Sequence, residues 1–191
     1  MLVNLSLRFG GTAVARNTGN TGFSVIELII ILAVLGVLLA VGAPSFQTLL
    51  ANTRLTTHAN ALFMAVNLAR SEAIHRGRRV DLVPAGNGTS WTDGWIVFVD
   101  ENNNQRPDDG EIVVLRHEAV HPDLRITPRF TDSKVQYLAY NGSGRSRTNA
   151  SNQTSQSGSW LLEYGTQSRK VIINFLGRPR VCNPITDGAS C

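Results

Sequence analysis

Cysteine is scarce in this chain: 2 in 191 residues, Cys182 and Cys191, both at the far end. No histidine lies near enough to complete a metal site with them. In an exported domain their spacing reads as a disulfide closing a terminal loop, a restraint worth about 2–3 kcal/mol. Charge is nearly missing from Phe23 to Ala43, where Glu27 alone interrupts a run of Ile, Leu, Val, Ala and Gly. Acid is missing from residues 1–22, so Arg8 and Arg16 stand unopposed. By the positive-inside rule this end stays cytoplasmic and the rest goes outward. No internal repeat stands out.

The uncharged run is long enough to cross a bilayer as a helix, for which about 17–25 apolar residues suffice. A cleaved secretory signal has an apolar core of about 7–15 residues; this run is longer, carries a carboxylate, and follows a long polar leader. Val41-Gly42-Ala43 resembles a small-residue cleavage site, but Pro44 follows it directly. A buried soluble helix is the weakest alternative, since nothing else in the chain could cover so uniform a cylinder. A plain single-span anchor accounts for the length but not for Gly22-Phe23 with Glu27 four residues later. A carboxylate at that depth is costly in lipid unless it is paired, so its presence implies use.

Beyond Pro44, Leu55, Ala59, Leu62, Val66, Ala69 and Ala73 recur at spacings of four and three, one stripe of an amphipathic helix. Gly77 supplies a stop, and Arg76 suits the end of the helix dipole. One helix from Phe23 to about Arg76 is expected, with Gly36, Gly42 and Pro44 as points where it can bend or melt. After Gly77 come short strand-like runs: Arg79–Val83, Trp95–Val99, Ile112–Arg116, Leu124–Thr127, Val135–Tyr140, Trp160–Tyr164, Lys170–Phe175 and Arg180–Val181. Asn87-Gly88, Asp109-Gly110 and Asn141-Gly142 mark turns. Arg145–Ser159 is almost wholly polar and reads as a mobile loop.

Charge is unevenly distributed. Residues 80–133 carry 4 basic and 10 acidic side chains, and residues 134–191 carry 7 basic and 2 acidic. A basic C-terminal third fits an anionic partner, and equally a solvated basic face. Within it, Arg145 and Arg147 flank a Gly/Ser-rich stretch, Arg169-Lys170 starts a strand, and Arg178 and Arg180 bracket Pro179. If extended, residues two apart project from one side, where guanidinium forks suit phosphate oxygens.

Three patterns point weakly to other chemistry. His117-Glu118-Ala119-Val120-His121 spells H-E-x-x-H, but zinc catalysis needs it on a helix, and here a strand-like run precedes it and Pro122 follows. Asp100, Asn102, Asn104, Asp108 and Glu111 fall at calcium-loop positions, yet Gln105 replaces the required glycine; a polar hairpin connection is the simpler reading. Ser143 lacks the strand–turn–helix setting of a nucleophile elbow, and His58 and His75 read as helix surface or packing residues. No metal, cofactor or catalytic residue is expected, and the chain does not read as an enzyme.

Gly22-Phe23-Ser24-Val25-Ile26-Glu27-Leu28, with the apolar run behind it, resembles the class III signal of type IV pilins and pseudopilins. Leu68-Ala69-Arg70-Ser71-Glu72-Ala73-Ile74, Asp93-Gly94-Trp95-Ile96-Val97-Phe98-Val99-Asp100 and Gly177-Arg178-Pro179-Arg180 resemble the FimT/GspH minor pilins and pseudopilins. The resemblance implies an α+β pilin-like fold, a long N-terminal helix packed on a C-terminal antiparallel sheet domain. Its divisions would be a leader at 1–22, a transmembrane and assembly part at 23–47 and a soluble domain at 48–191. It implies cleavage after Gly22 by a prepilin peptidase at the inner membrane and N-methylation of Phe23. It also implies that Glu27 pairs with a neighbouring subunit's terminal amine, with other pilins as partners and the C-terminal domain periplasmic or extracellular. In FimT-type proteins a G-R-x-R motif at this place is linked to DNA binding in natural transformation. That makes Arg178 and Arg180, with Arg145, Arg147, Arg169 and Lys170, candidates for non-specific DNA contact. A GspH-like subunit of a type II secretion machine, with no DNA role, is the alternative.

Overall fold

The computed structural model describes residues 22–133, 136–151 and 154–191. Apart from Gly22, the leader lies outside the described residues, as do residues 134–135 and 152–153. Helix α1 spans Val25–Arg76, with Gly36, Gly42 and Pro44 inside its bounds. It stops at Gly77, whose φ of +63° suits a residue with no Cβ. The chain divides into two compact units, Met1–Ala43 and Pro44–Cys191. In the first, the described part of α1 exposes its apolar side chains, from Val25 to Leu39, and is long and apolar enough to cross a membrane.

In the second unit the expected stripe is buried: Leu55, Ala59, Leu62, Val66, Ala69 and Ala73 have no exposed surface, and Ala65 joins them. The four alanines leave room for strands to approach the helix closely. The strands are β1 (Val80–Pro84), β2 (Trp95–Val99), β3 (Val113–His117), β4 (Leu124–Phe130), β5 (Leu138–Tyr140), β6 (Ser146–Arg147), β7 (Gly158–Tyr164), β8 (Gln167–Ile173) and β9 (Pro179–Cys182). They form two antiparallel sheets. Sheet A has the order β3-β2-β1-β5-β6, and sheet B the order β4-β7-β8-β9. The fold is α+β, a long N-terminal helix with an antiparallel sheet domain.

One core joins the helix stripe to Val80, Leu82, Trp95 and Val97 of sheet A and to Leu124, Trp160, Leu162 and Val171 of sheet B. At its centre the Trp160 ring meets Trp91 and Phe130 edge-on, with centroids 5.0 and 4.7 Å apart, a favoured aromatic geometry. The other side of sheet A carries a second cluster of Val83, Ile96, Phe98, Tyr137 and Ala139. That is why every residue of β1 and β2 is buried.

The polar segment 145–159 departs from the loop expected of it. It contributes β6 and a bridge between Thr148 and Ser151, and Ser146, Thr148 and Gln156 are buried. Gln156 accepts from the Asp132 amide at 3.0 Å, and the Asn149 amide donates to the Tyr137 hydroxyl at 2.6 Å. Hydrogen bonds hold this segment where apolar contacts hold the rest, so its described residues form a pinned element instead of a mobile loop.

Candidate functional site

The basic C-terminal residues sit on two turns of the same construction. In the first, Asn141 Oδ1 accepts from the amides of Ser143 and Arg145 at 3.2 and 3.0 Å. The Gly144 amide donates to the Asn141 carbonyl, and the Asn141 amide to the Arg145 carbonyl. In the second, Asn174 Oδ1 accepts from Leu176 and Arg178 at 3.0 and 2.9 Å, with the equivalent bonds from Gly177 and to Arg178. An Asn side chain that mimics a backbone turn explains both. The sequences are Asn141-Gly142-Ser143-Gly144-Arg145 and Asn174-Phe175-Leu176-Gly177-Arg178, each continuing as Gly-Arg-x-Arg. This is a short internal repeat, against the sequence expectation of none.

The two turns are fixed to each other and to α1. Arg70 donates from Nε to the Gly144 carbonyl at 2.9 Å. Tyr140 donates from its hydroxyl to the Gly177 carbonyl at 2.7 Å. A Cβ at residue 177 would lie 2.7 Å from Tyr140 Cε1 and 3.0 Å from the Ser146 amide nitrogen, and φ there is +75°. Only glycine fits, which gives the first letter of Gly177-Arg178-Pro179-Arg180 a physical reason.

Strand register divides the six candidate cations. Antiparallel partners share a face, so Ile172↔Arg180 and Lys170↔Cys182 put Arg180 and Lys170 on the face of sheet B away from Val171 and Ile173. The bond from the Asn174 amide to the Arg178 carbonyl extends that ladder by one pair, so Arg178 shares the face of Arg180. Both are exposed, and neither is ion-paired among the described residues. Arg169 has the opposite parity and donates to Asn52 Oδ1 on α1. Lys170 donates to the Cys191 carbonyl at 3.1 Å, and Cys191 is disulfide-bonded to Cys182 with Cα atoms 5.7 Å apart. Arg145 is exposed, but its register with Asn141 puts it on the outer side of sheet A. Arg147, beside it, donates to Ser155 Oγ at 3.2 Å.

The other sequence patterns resolve as follows. His117 ends β3 and His121 lies in the irregular segment after it, so H-E-x-x-H is not helical. His117 stacks on Trp95, with centroids 3.9 Å apart, and His121 meets Tyr164 edge-on. In the 100–111 loop, Asp100 accepts from the amides of Asn103 and Gln105 at 2.6 and 3.1 Å, and Glu111 from those of Glu101 and Asp108. These carboxylates are engaged by the loop's own backbone. Among the described residues no three His, Cys, Asp or Glu side chains converge as a metal site.

The family profile of the type II transport protein GspH matches residues 58–177. The chain belongs to the GspH family. It is a pilin-like structural subunit, of the minor pilins and pseudopilins that build type IV pilus-like or type II secretion filaments. Pilin-like protein PilA1 of Thermus thermophilus is 30% identical over 164 residues, spanning 84% of this chain and 97% of that protein. The type IV minor pilin FimU of Pseudomonas aeruginosa shares the fold in two crystal forms. One has a TM-score of 0.53 at 16% identity, covering 71% of this chain and 92% of FimU. The other has a TM-score of 0.51 at 17% identity, covering 69% and 95%. The fold expected of this GspH-family chain is thus the fold found. With one helix among the described residues long and apolar enough to cross a membrane, membership of this pilin-like family makes the chain a single-pass, membrane-anchored protein.

Proposed function

We propose that this GspH-family chain is a minor subunit of a type IV pilus-like filament that binds DNA without sequence preference, in support of natural transformation. The observation that carries this reading is the pair Arg178 and Arg180, exposed, in no ion pair among the described residues, and held on one face by a turn that Asn174, Gly177 and Tyr140 make rigid. The fixed backbone spares the cost of ordering the turn on binding, and guanidinium forks on one face suit phosphate oxygens. Arg145 stands on the adjoining turn and faces outward from the other sheet. The name of the Thermus thermophilus relative, a pilin-like protein, and that of the Pseudomonas minor pilin favour the pilus. The description of the matching family favours the second reading, a type II secretion pseudopilin with no DNA role.

Assembly follows the pilin pattern in this proposal. A prepilin peptidase cleaves after Gly22, Phe23 is methylated, the helix stays in the inner membrane, and the soluble part at 48–191 faces the periplasm or the exterior. Glu27 accepts the terminal amine of a neighbouring subunit. The chain has no catalytic role. Co-expression with a prepilin peptidase followed by intact-mass measurement checks the processing: loss of residues 1–22 is expected, and an uncut chain contradicts it. Glu27→Ala is expected to be cleaved yet absent from sheared filaments. Binding is checked with the full chain in detergent and two labelled duplexes of unrelated sequence. Equal affinity for both, falling steeply with salt, is expected; no binding at low salt supports the secretion reading instead.

A further inference from the structure

The face of sheet B that carries Arg180 has a second basic end that belongs to the acidic part of the sequence. Strand β4 lies beside β7, so its outward residues join the same surface. Register runs straight across: Arg129↔Ser159, Ser159↔Ile172 and Ile172↔Arg180 form one row. Leu124 and Ile126 are buried on the core side. Arg125 and Arg129 are exposed on the other side, with no ion pair or hydrogen bond of their side chains among the described residues. Acids near this face include Glu163, directly across from Arg125, the exposed Asp123, two residues before Arg125 in sequence, and Asp187, close enough to Arg180 to interact electrostatically.

We infer that the DNA-binding surface is the outer face of sheet B, a track running from Arg178 and Arg180 to Arg129 and Arg125. The inference rests on the DNA-binding reading above and extends it to two residues outside the basic segment. Three strand spacings separate Arg129 from Arg180, about 14 Å between Cα atoms, a distance that spans several phosphates of a nucleic-acid backbone. A rigid sheet sets that separation before the ligand arrives. The Arg178–Arg180 turn alone offers about two phosphate contacts, and the track doubles that number. Arg145, on the other sheet, contributes less than Arg129 despite its Gly-Arg-x-Arg setting.

The test is a salt series of binding isotherms with a labelled thirty-base-pair duplex and the full chain in detergent. Wild type, Arg125→Gln/Arg129→Gln and Arg178→Gln/Arg180→Gln are compared with Arg106→Gln/Arg116→Gln, exposed residues that remove the same charge from the other sheet and its 100–111 loop. Far-ultraviolet circular dichroism and the melting temperature establish that each variant is folded. Arg125→Gln/Arg129→Gln is expected to bind about tenfold more weakly at low salt, and to lower the slope of log K against log salt by about 2. The Arg106/Arg116 variant is expected to change neither by more than about twofold. If wild type binds, Arg178→Gln/Arg180→Gln weakens it and Arg125→Gln/Arg129→Gln does not, the track is wrong and the turn remains the site. Equal weakening by the Arg106/Arg116 variant means that net charge alone is acting, which also overturns the track. A wild type that does not bind at low salt removes the DNA-binding reading itself, and the track with it.

Discussion

Tyr140 donates its phenolic hydrogen to the Gly177 carbonyl at 2.7 Å, and its ring occupies the space where any other residue at 177 would place a Cβ. A sheet A strand therefore sets the position of the turn that presents Arg178, which lies in the loop between two sheet B strands. Gly177→Ala adds both a collision and a left-handed backbone for a residue with a Cβ, and is expected to lower stability by about 2–3 kcal/mol. Tyr140→Phe keeps the ring and leaves the carbonyl without its donor, for about 1–2 kcal/mol. Urea denaturation of the two variants checks the order, with the alanine the worse.

Buried charge gives the fold a pH dependence. Arg79 grips Asp81 through two bonds of 2.7 Å, with Asp100 3.6 Å from the same guanidinium. Burial pushes the Asp81 carboxyl up to about 7, against the pull of Arg79 and with a further push from Asp100. The folded state thus holds a proton that the unfolded chain releases near its ordinary value of about 4. Asp81 therefore contributes stability that is fully present below about pH 4 and is lost as pH rises to about 7. His58 works the other way over part of the same range. Burial, and then the nearby His117 and His121, lower its pKa, so its contribution is lost as pH falls below about 6.5. Asp81→Asn isolates the first effect. The stability difference, wild type minus variant, is expected to shrink between pH 5 and pH 8 in urea melts, and a constant difference contradicts the assignment.

The Cys182–Cys191 bond closes the segment that follows Arg180 and holds the Cys191 carbonyl within reach of Lys170. Thiol labelling of the protein isolated without reductant is expected to find neither cysteine free. Replacing both with serine is expected to lower stability by about 2 kcal/mol while leaving far-ultraviolet circular dichroism unchanged.

The helix and most strands were legible because their signal is hydropathic. Leu55, Ala59, Leu62, Val66, Ala69 and Ala73 follow the helical period, and every one is fully buried. Strand ends moved by one to three residues where the runs gave no sharp edge: Leu124–Thr127 extends to Phe130, and Lys170–Phe175 becomes Gln167–Ile173. Segment 145–159 was opaque because Ser146 and Gln156 are buried without being apolar, and a hydropathy pattern carries no trace of such partners. The repeated Asn-x-x-Gly-Arg is visible as letters, but only register reveals that Arg145 and Arg178 face outward from different sheets. Summing charge along the chain assigned Arg125 and Arg129 to an acidic block. Sheet order, with β4 beside β7, returns them to the basic face.

The central claim is that Arg178 and Arg180 hold DNA, and one titration tests it most directly. Labelled duplexes of two unrelated sequences are titrated with the full chain in detergent, as wild type and as Arg178→Gln/Arg180→Gln, at several salt concentrations. Wild type is predicted to bind both duplexes alike, and the double variant to bind at least about tenfold more weakly at low salt, with a salt slope shallower by about 2. A double variant that binds as tightly as wild type, with the same slope, contradicts the claim.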